Sequence, residues 1–99
     1  MEKLVLRPVI GLVQDLSPQQ LEGVTIDAVV RHRGLRDQAE LSQSTLERAI
    51  ARQACEEEVE FARRAHIAAM IAMHAHQLAL STLLDVLGFI PDIPTKTSN

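Results

Sequence analysis

Short apolar runs with polar positions between them cover the first third of the chain and predict a small β module over residues 1–36. Two runs of mostly β-branched and apolar residues lie at 4–6 and 9–13. Pro8 separates them and cannot donate a hydrogen bond to a β ladder, so an edge strand or two short strands are expected. Residues 24–33 alternate apolar and polar positions with one exception, which favours a half-buried strand, with a helix as the alternative.

A helix start is expected between these runs. Ser17 can act as the N-cap, Pro18 occupies the first helical position, and Gln20 completes a capping box. Gly23 has a low helix propensity and is expected to end this helix after little more than one turn.

The next part of the chain is predicted to be helical over residues 37–90. No Gly or Pro occurs in residues 35–87, and apolar positions recur there at helical spacing. Gly88 can take the left-handed conformation that ends a helix, and Pro91 prevents its continuation. Residues 91–99 are expected to form an extended polar tail.

The second half of this helical region is apolar on nearly every side, since residues 65–84 contain no Asp, Glu, Lys or Arg. A single helix over residues 45–87 would be about 65 Å long, too long to be covered by the N-terminal module. Either it breaks into a hairpin, near 62–66 or at 81–82, or it packs against a second copy. With no helix-breaking residue in the middle, self-association is favoured. Small side chains at one-turn spacing are expected to form that interface, together with one leucine: Ala65, Ala68, Ala72, Ala75, Ala79 and Leu83.

These elements predict an α+β fold, mainly α, in which a short N-terminal β module precedes a long C-terminal helix or helical hairpin that packs as an oligomeric bundle. The composition fits one small globular domain, with 99 residues, 46% hydrophobic residues and a net charge of −3. One cysteine excludes an internal disulfide framework and fits a reducing cytoplasm. No signal segment is evident, and the histidines of the apolar half argue against a membrane partner, so a cytoplasmic location is expected.

Sequence motifs typical of enzymes are missing. The chain has no glycine-rich phosphate loop, no Gly-x-Ser-x-Gly elbow and no His-Glu-x-x-His pair, so neither enzyme activity nor a cofactor is predicted. His66, His74 and His76 are only weak metal candidates, because none has a His, Cys, Asp or Glu three or four positions away. A metal site would need Glu56 or Glu60 from another subunit.

A basic cluster raises the alternative of nucleic-acid binding. The candidate contact residues for a protein or nucleic-acid partner are Arg31, His32, Arg33, Arg36, Arg48 and Arg52. The segment 41–48 resembles the recognition helix of bacterial helix-turn-helix regulators, which implies that Ser44, Thr45 and Arg48 contact DNA. The Ala-x-x-x-Gly turn of that motif is missing before Leu41. Seven basic and seven acidic side chains cancel over residues 1–55, although phosphate contacts supply most DNA affinity.

The sequence therefore predicts a small bacterial regulatory protein that forms homodimers or higher oligomers. Its expected action is protein–protein binding, as an adaptor, an inhibitor or a regulatory subunit, with a protein partner whose identity the sequence does not reveal. One alternative is a helix-turn-helix-like transcriptional regulator that binds DNA and dimerises through its C-terminal helix. A weaker alternative is a His/Glu metal site between subunits.

Overall fold

A computed structural model describes residues 6–93 of the chain. Over that range the chain forms three helices and no strand: α1 over Arg7–Val13, α2 over Pro18–Ala51 and α3 over Glu56–Leu87. The described part is therefore all-α, and the prediction of an N-terminal β module is wrong. Its residues divide into two compact units, one made of 6–30 and 78–93 and the other of 31–77.

Residues 9–13, predicted as a strand, belong to α1, and Pro8 stands in the first turn of this helix. A proline costs little there, since the N–H groups of a first turn have no partner within the helix. Leu6 is the N-cap of α1, and its N–H donates to Oγ1 of Thr82 in α3 over 3.0 Å. Of the predicted strand 4–6, residues 4 and 5 lie outside the described residues.

The capping box at the start of α2 is confirmed. The Gln20 N–H donates to Oγ of Ser17 over 3.1 Å, and the Ser17 N–H donates to Oε1 of Gln20 over 2.9 Å. Gly23 does not end this helix, which continues to Ala51. A glycine inside a helix costs only about 1 kcal/mol relative to alanine, and the packing of one helix face offsets that cost.

Residues 24–33 form part of α2, so the predicted strand is wrong there and its helical alternative is correct. Thr25 is fully buried, and Leu21 and Ala28, four positions before it and three after it, are half-buried. That spacing marks one face of a helix. The Thr25 hydroxyl donates to the Leu21 carbonyl over 2.8 Å, so the polar group of this buried side chain is satisfied.

The unit made of residues 6–30 and 78–93 has a core to which all three helices contribute. Its buried side chains include Val13, Thr25, Leu80, Thr82 and Leu83. The predicted end of α3 is confirmed, because Gly88 has a φ of 88° and its N–H donates to the Leu84 carbonyl over 2.9 Å. This left-handed residue stops the helix.

Residues 31–77 form a helical hairpin, whose turn lies between the end of α2 and the start of α3. Gln53 takes a left-handed φ of 57°, and its N–H donates to the Ile50 carbonyl over 3.0 Å. The Ala54 N–H donates to the Ala49 carbonyl over 2.9 Å, which completes a Schellman ending of α2.

This turn changes the predicted course of the C-terminal half. One helix over residues 45–87 is wrong, and the hairpin bends at neither 62–66 nor 81–82. The turn escaped prediction because a glutamine, not a glycine, holds the left-handed position. The three acidic residues in the first turn of α3 are the signal that could have located it, since negative charge favours the N-terminus of a helix.

The two helices of the hairpin meet along a seam whose positions recur three and four residues apart, as in a coiled coil. Two contacts cross it: Ser42 Oγ lies 3.1 Å from Nδ1 of His66, and the rings of His32 and His76 stack with centroids 5.7 Å apart. Later residues of α2 thus meet earlier residues of α3, so the helices are antiparallel. Other buried or half-buried residues at seam spacing are Leu35, Ala39, Leu46 and Ala49 in α2, and Val59, Ala62, Ala69 and Met73 in α3.

By length and composition α3 is apolar enough to cross a bilayer. Its most apolar stretch of 18 residues has a mean hydropathy of 1.4, and 17% of that stretch is buried. Within the hairpin, however, α3 packs against a part of α2 that carries Arg31, Arg33 and Arg36. Moving charged side chains into the bilayer centre costs about 2.5–3.5 kcal/mol each. These arginines therefore argue against placing this part of the hairpin at the centre of a bilayer.

Candidate interaction surface

One flank of the hairpin presents apolar side chains to solvent. Phe61 of α3 is 78% exposed, and Leu41 of α2 is 57% exposed. Exposed alanines continue this flank along α3 from Phe61 at steps of four and three residues. We name it the Phe61 face, and it consists of Leu41, Phe61, Ala65, Ala68, Ala72 and Ala75. A contiguous apolar patch of this kind is characteristic of a binding surface.

A groove between the two helices gives the Phe61 face its shape. Leu41 and Phe61 both line this groove, which has a volume of about 380 Å³. Arg48 and Arg52 of α2 line it as well, and Arg52 forms an ion pair with Glu58 of α3. Both partners of that pair are about half exposed, so the pair contributes little to stability.

Phe61 also borders a wider, open depression of about 980 Å³ at the start of α3. Glu56, Glu57 and Glu60 line this depression together with Arg64. The apolar ring of Phe61 thus has charged side chains of both signs around it. An apolar centre with a charged rim is the arrangement found at protein–protein interfaces.

The predicted basic contact residues do not form one surface. Arg31 and Arg36 are exposed, Arg33 is half-buried, and the His32 ring is stacked in the seam. Arg48 and Arg52 are exposed and line the groove. The structure therefore brings only the last two together with the Phe61 face.

The segment that resembles a recognition helix lies in the middle of α2, which is continuous from Pro18. The helix is unbroken before the segment, so no turn lies directly in front of it, and the described residues contain no helix-turn-helix motif there. Ser42 donates to the Ala39 carbonyl and contacts His66, and the Thr45 hydroxyl donates to the Leu41 carbonyl over 3.0 Å.

The histidines proposed as weak metal ligands are kept apart. His66 contacts Ser42, His76 stacks on His32, and His74 is exposed. Among the described residues no three His, Cys, Asp or Glu side chains are grouped so that they could hold a metal ion. Burial lowers the pKa of His76 below its ordinary value of 6.5, and the nearby His32 and Arg31 lower it further.

The alanines predicted to join two copies differ in exposure. The four within the hairpin, Ala65, Ala68, Ala72 and Ala75, are exposed and belong to the Phe61 face. In the other unit Ala79 is half-buried and Leu83 is 6% exposed, so Leu83 is part of the interior of its own chain. Sequence reasoning missed Leu41 as a surface residue. The available signal was its position, because Leu41 does not belong to the three-and-four spacing of the seam.

Comparison with known proteins places these observations in a family. The family described as Prokaryotic Transcriptional repressor TraM matches residues 1–92. A protein of Rhizobium radiobacter named Transcriptional repressor TraM is 44% identical over 93 residues, which are 93% of this chain and 88% of the relative. A protein of the same name from Agrobacterium fabrum is 40% identical over 92 residues, covering 92% of this chain and 87% of the relative. The chain therefore belongs to the TraM family of prokaryotic transcriptional repressors.

Proposed function

We propose that this protein is a cytoplasmic regulator that self-associates through the Phe61 face and acts by binding another protein, as an adaptor, an inhibitor or a regulatory subunit. The exposure of Phe61 and of the alanines beside it carries the proposal. Membership of a family of transcriptional repressors supports a regulatory rather than an enzymatic role.

Self-association accounts for the small side chains of this face. Alanines at one-turn spacing allow two helix backbones to approach closely, which increases the dispersion contacts between them. A two-fold axis would bring the Phe61 face of one copy onto the same face of the next. Each copy would then cover the exposed Phe61 ring of its partner.

Protein binding accounts for the charge pattern better than DNA binding does. Residues 31–77 contain seven basic and seven acidic side chains, so the hairpin has no net positive charge to attract phosphates. The recognition-helix segment is not preceded by a turn, and Ser42 is engaged in the seam. A repressor with these properties would lower transcription by occupying a protein that transcription requires.

The first test replaces Phe61 with a charged residue and measures the molar mass by light scattering. We expect Phe61→Glu to lower the mass of the wild-type oligomer towards 10.9 kDa while circular dichroism shows the helices intact. Ile67→Glu is the matched control, because Ile67 is 50% exposed on the same helix and points about 120° away from Phe61. Equal masses for wild type and both variants would contradict the proposed interface.

The second test separates protein binding from DNA binding. In a gel shift with random duplex DNA at low salt, the proposal expects no retardation by the wild-type protein. Retardation that fades steeply with salt, and that is weakened by Arg31→Ala together with Arg33→Ala, would instead support a DNA-binding repressor.

A further inference from the structure

Two histidines stack on each other inside the seam of the 31–77 hairpin. The ring centroids of His32 in α2 and His76 in α3 lie 5.7 Å apart, and the ring planes differ by 15°. Both Nδ1 atoms are buried and have no hydrogen-bond partner within the described part of the protein. A buried ring nitrogen without a partner makes no hydrogen bond that would offset the cost of a charge at that atom.

The surroundings of the pair are poor in negative charge. On α2 the nearest charged side chains are Arg31 and Arg33, and the nearest carboxylates are five positions away, at Asp27 and Asp37. On α3 no Asp, Glu, Lys or Arg occurs in residues 65–84, and His74 is the other titratable side chain close to the pair in sequence. A positive charge on His76 would therefore lie near Arg31, with no carboxylate close to the pair in sequence to compensate for it.

We propose that the stacked His32–His76 pair makes the hairpin acid-sensitive: the His76 ring packs on His32 in the seam, and protonation of His76 loosens the seam there. A neutral imidazole can stack with its apolar face against a neighbouring ring, whereas an imidazolium ion requires solvent or a hydrogen-bonded partner. The effect belongs to the stability of the hairpin itself and does not rest on the proposed function.

The direction of the pH dependence follows from proton binding. The pKa of His76 is lower in the folded chain than the ordinary value of 6.5, because its burial disfavours the charged form. As the pH falls through that value, the unfolded chain takes up a proton that the folded chain does not. The stability contributed by neutral His76 is thus complete above pH 6.5 and is lost as the pH falls towards the folded pKa.

Urea unfolding of the full chain, followed by circular dichroism at fixed protein concentration, measures this effect. Between roughly pH 7.5 and pH 5.5 the surface carboxylates stay ionised, so histidines dominate the proton balance. We expect the unfolding constant of the wild type to rise as the pH falls, by up to about tenfold per pH unit for each proton bound on unfolding. His76→Gln should flatten this dependence, whereas His74→Gln, at an exposed histidine of the same helix, should leave it unchanged.

A second measurement covers the outcome in which His76→Gln does not fold. Titration of the imidazole signals by NMR should give His76 of the wild type a titration midpoint below pH 6.5. His32→Gln should raise the midpoint of His76. The inference fails if His76 titrates at or above 6.5, or if His76→Gln folds and keeps the wild-type pH dependence.

Discussion

Thr82 offers a sharp test of how the unit made of residues 6–30 and 78–93 is held together. Its side chain is fully buried, and its Oγ1 accepts the N–H of Leu6 over 3.0 Å and donates to the Leu78 carbonyl over 2.9 Å. Thr82→Val keeps the shape and removes the hydroxyl. The Leu6 N–H at the start of α1 then loses its partner, and a partly buried unsatisfied donor costs about 1–3 kcal/mol.

Thr25→Val is the matched control for this change. Thr25 is also fully buried, and its hydroxyl donates to a carbonyl four residues earlier, that of Leu21. No further donor to the Thr25 hydroxyl is seen among the described hydrogen bonds, so its loss should cost less. The difference between the two variants isolates the contribution of the Leu6 N–H.

Thermal unfolding followed by circular dichroism measures both variants. A loss of about 1–3 kcal/mol lowers the melting temperature of a domain of this size by roughly 4–8 °C for each kcal/mol. We expect Thr82→Val to melt well below Thr25→Val, and Thr82→Ser to recover part of the loss because the hydroxyl is restored. Equal melting temperatures for Thr82→Val and Thr25→Val would refute the role given to the hydrogen bond from Leu6.

Further substitutions test the remaining elements of the account. Phe61→Ala should weaken self-association at least about a hundredfold in analytical ultracentrifugation, because burying a Phe contributes about 1.5–3 kcal/mol in each of the two copies. Gln53→Gly should raise the free energy of unfolding in urea by about 1 kcal/mol, since glycine takes a left-handed φ without strain. Gly88→Ala should lower that free energy by about 1 kcal/mol or more for the converse reason. Gly23→Ala should raise it by about 0.5–1 kcal/mol, because open space surrounds this position inside α2. Ser17→Ala should lower it by about 1 kcal/mol through loss of the capping box.

Local signals in the sequence located two helix boundaries correctly. The capping box of Ser17 and Gln20 marks the start of α2, and Gly88 marks the end of α3, because each signal depends on hydrogen bonds within a few residues. Pro8 was misread, since a proline fits a strand edge and a first helical turn equally well by itself. Tertiary packing decides between the two.

A helical hairpin was one of the two predicted forms, but its turn could not be located from apolar spacing alone. The seam between its helices includes Ser42, His66 and the stacked pair His32 and His76, so part of the decisive three-and-four pattern is polar. The apolar positions at helical spacing instead include the alanines of the Phe61 face, and they continue through the turn. They therefore predict one uninterrupted helix there. Gln53 gives no sequence signal for the turn, because its left-handed conformation depends on the hydrogen bonds that end α2.

The predicted oligomer interface stays a prediction, although the structure shows which of its residues are exposed. The alanine stripe was identified from its spacing, and four of its members are exposed in the hairpin. The basic cluster was grouped by proximity in sequence, but a helix distributes adjacent residues around its axis. His32 thus enters the seam while Arg31 and Arg36 are exposed.

The molar mass of the wild-type protein shows whether copies of this chain associate in solution. Sedimentation equilibrium over a dilution series, without nucleic acid or detergent, measures this mass. We expect a mass of at least twice 10.9 kDa that falls towards one copy only on strong dilution. A mass of one chain at every concentration would contradict the proposed self-association.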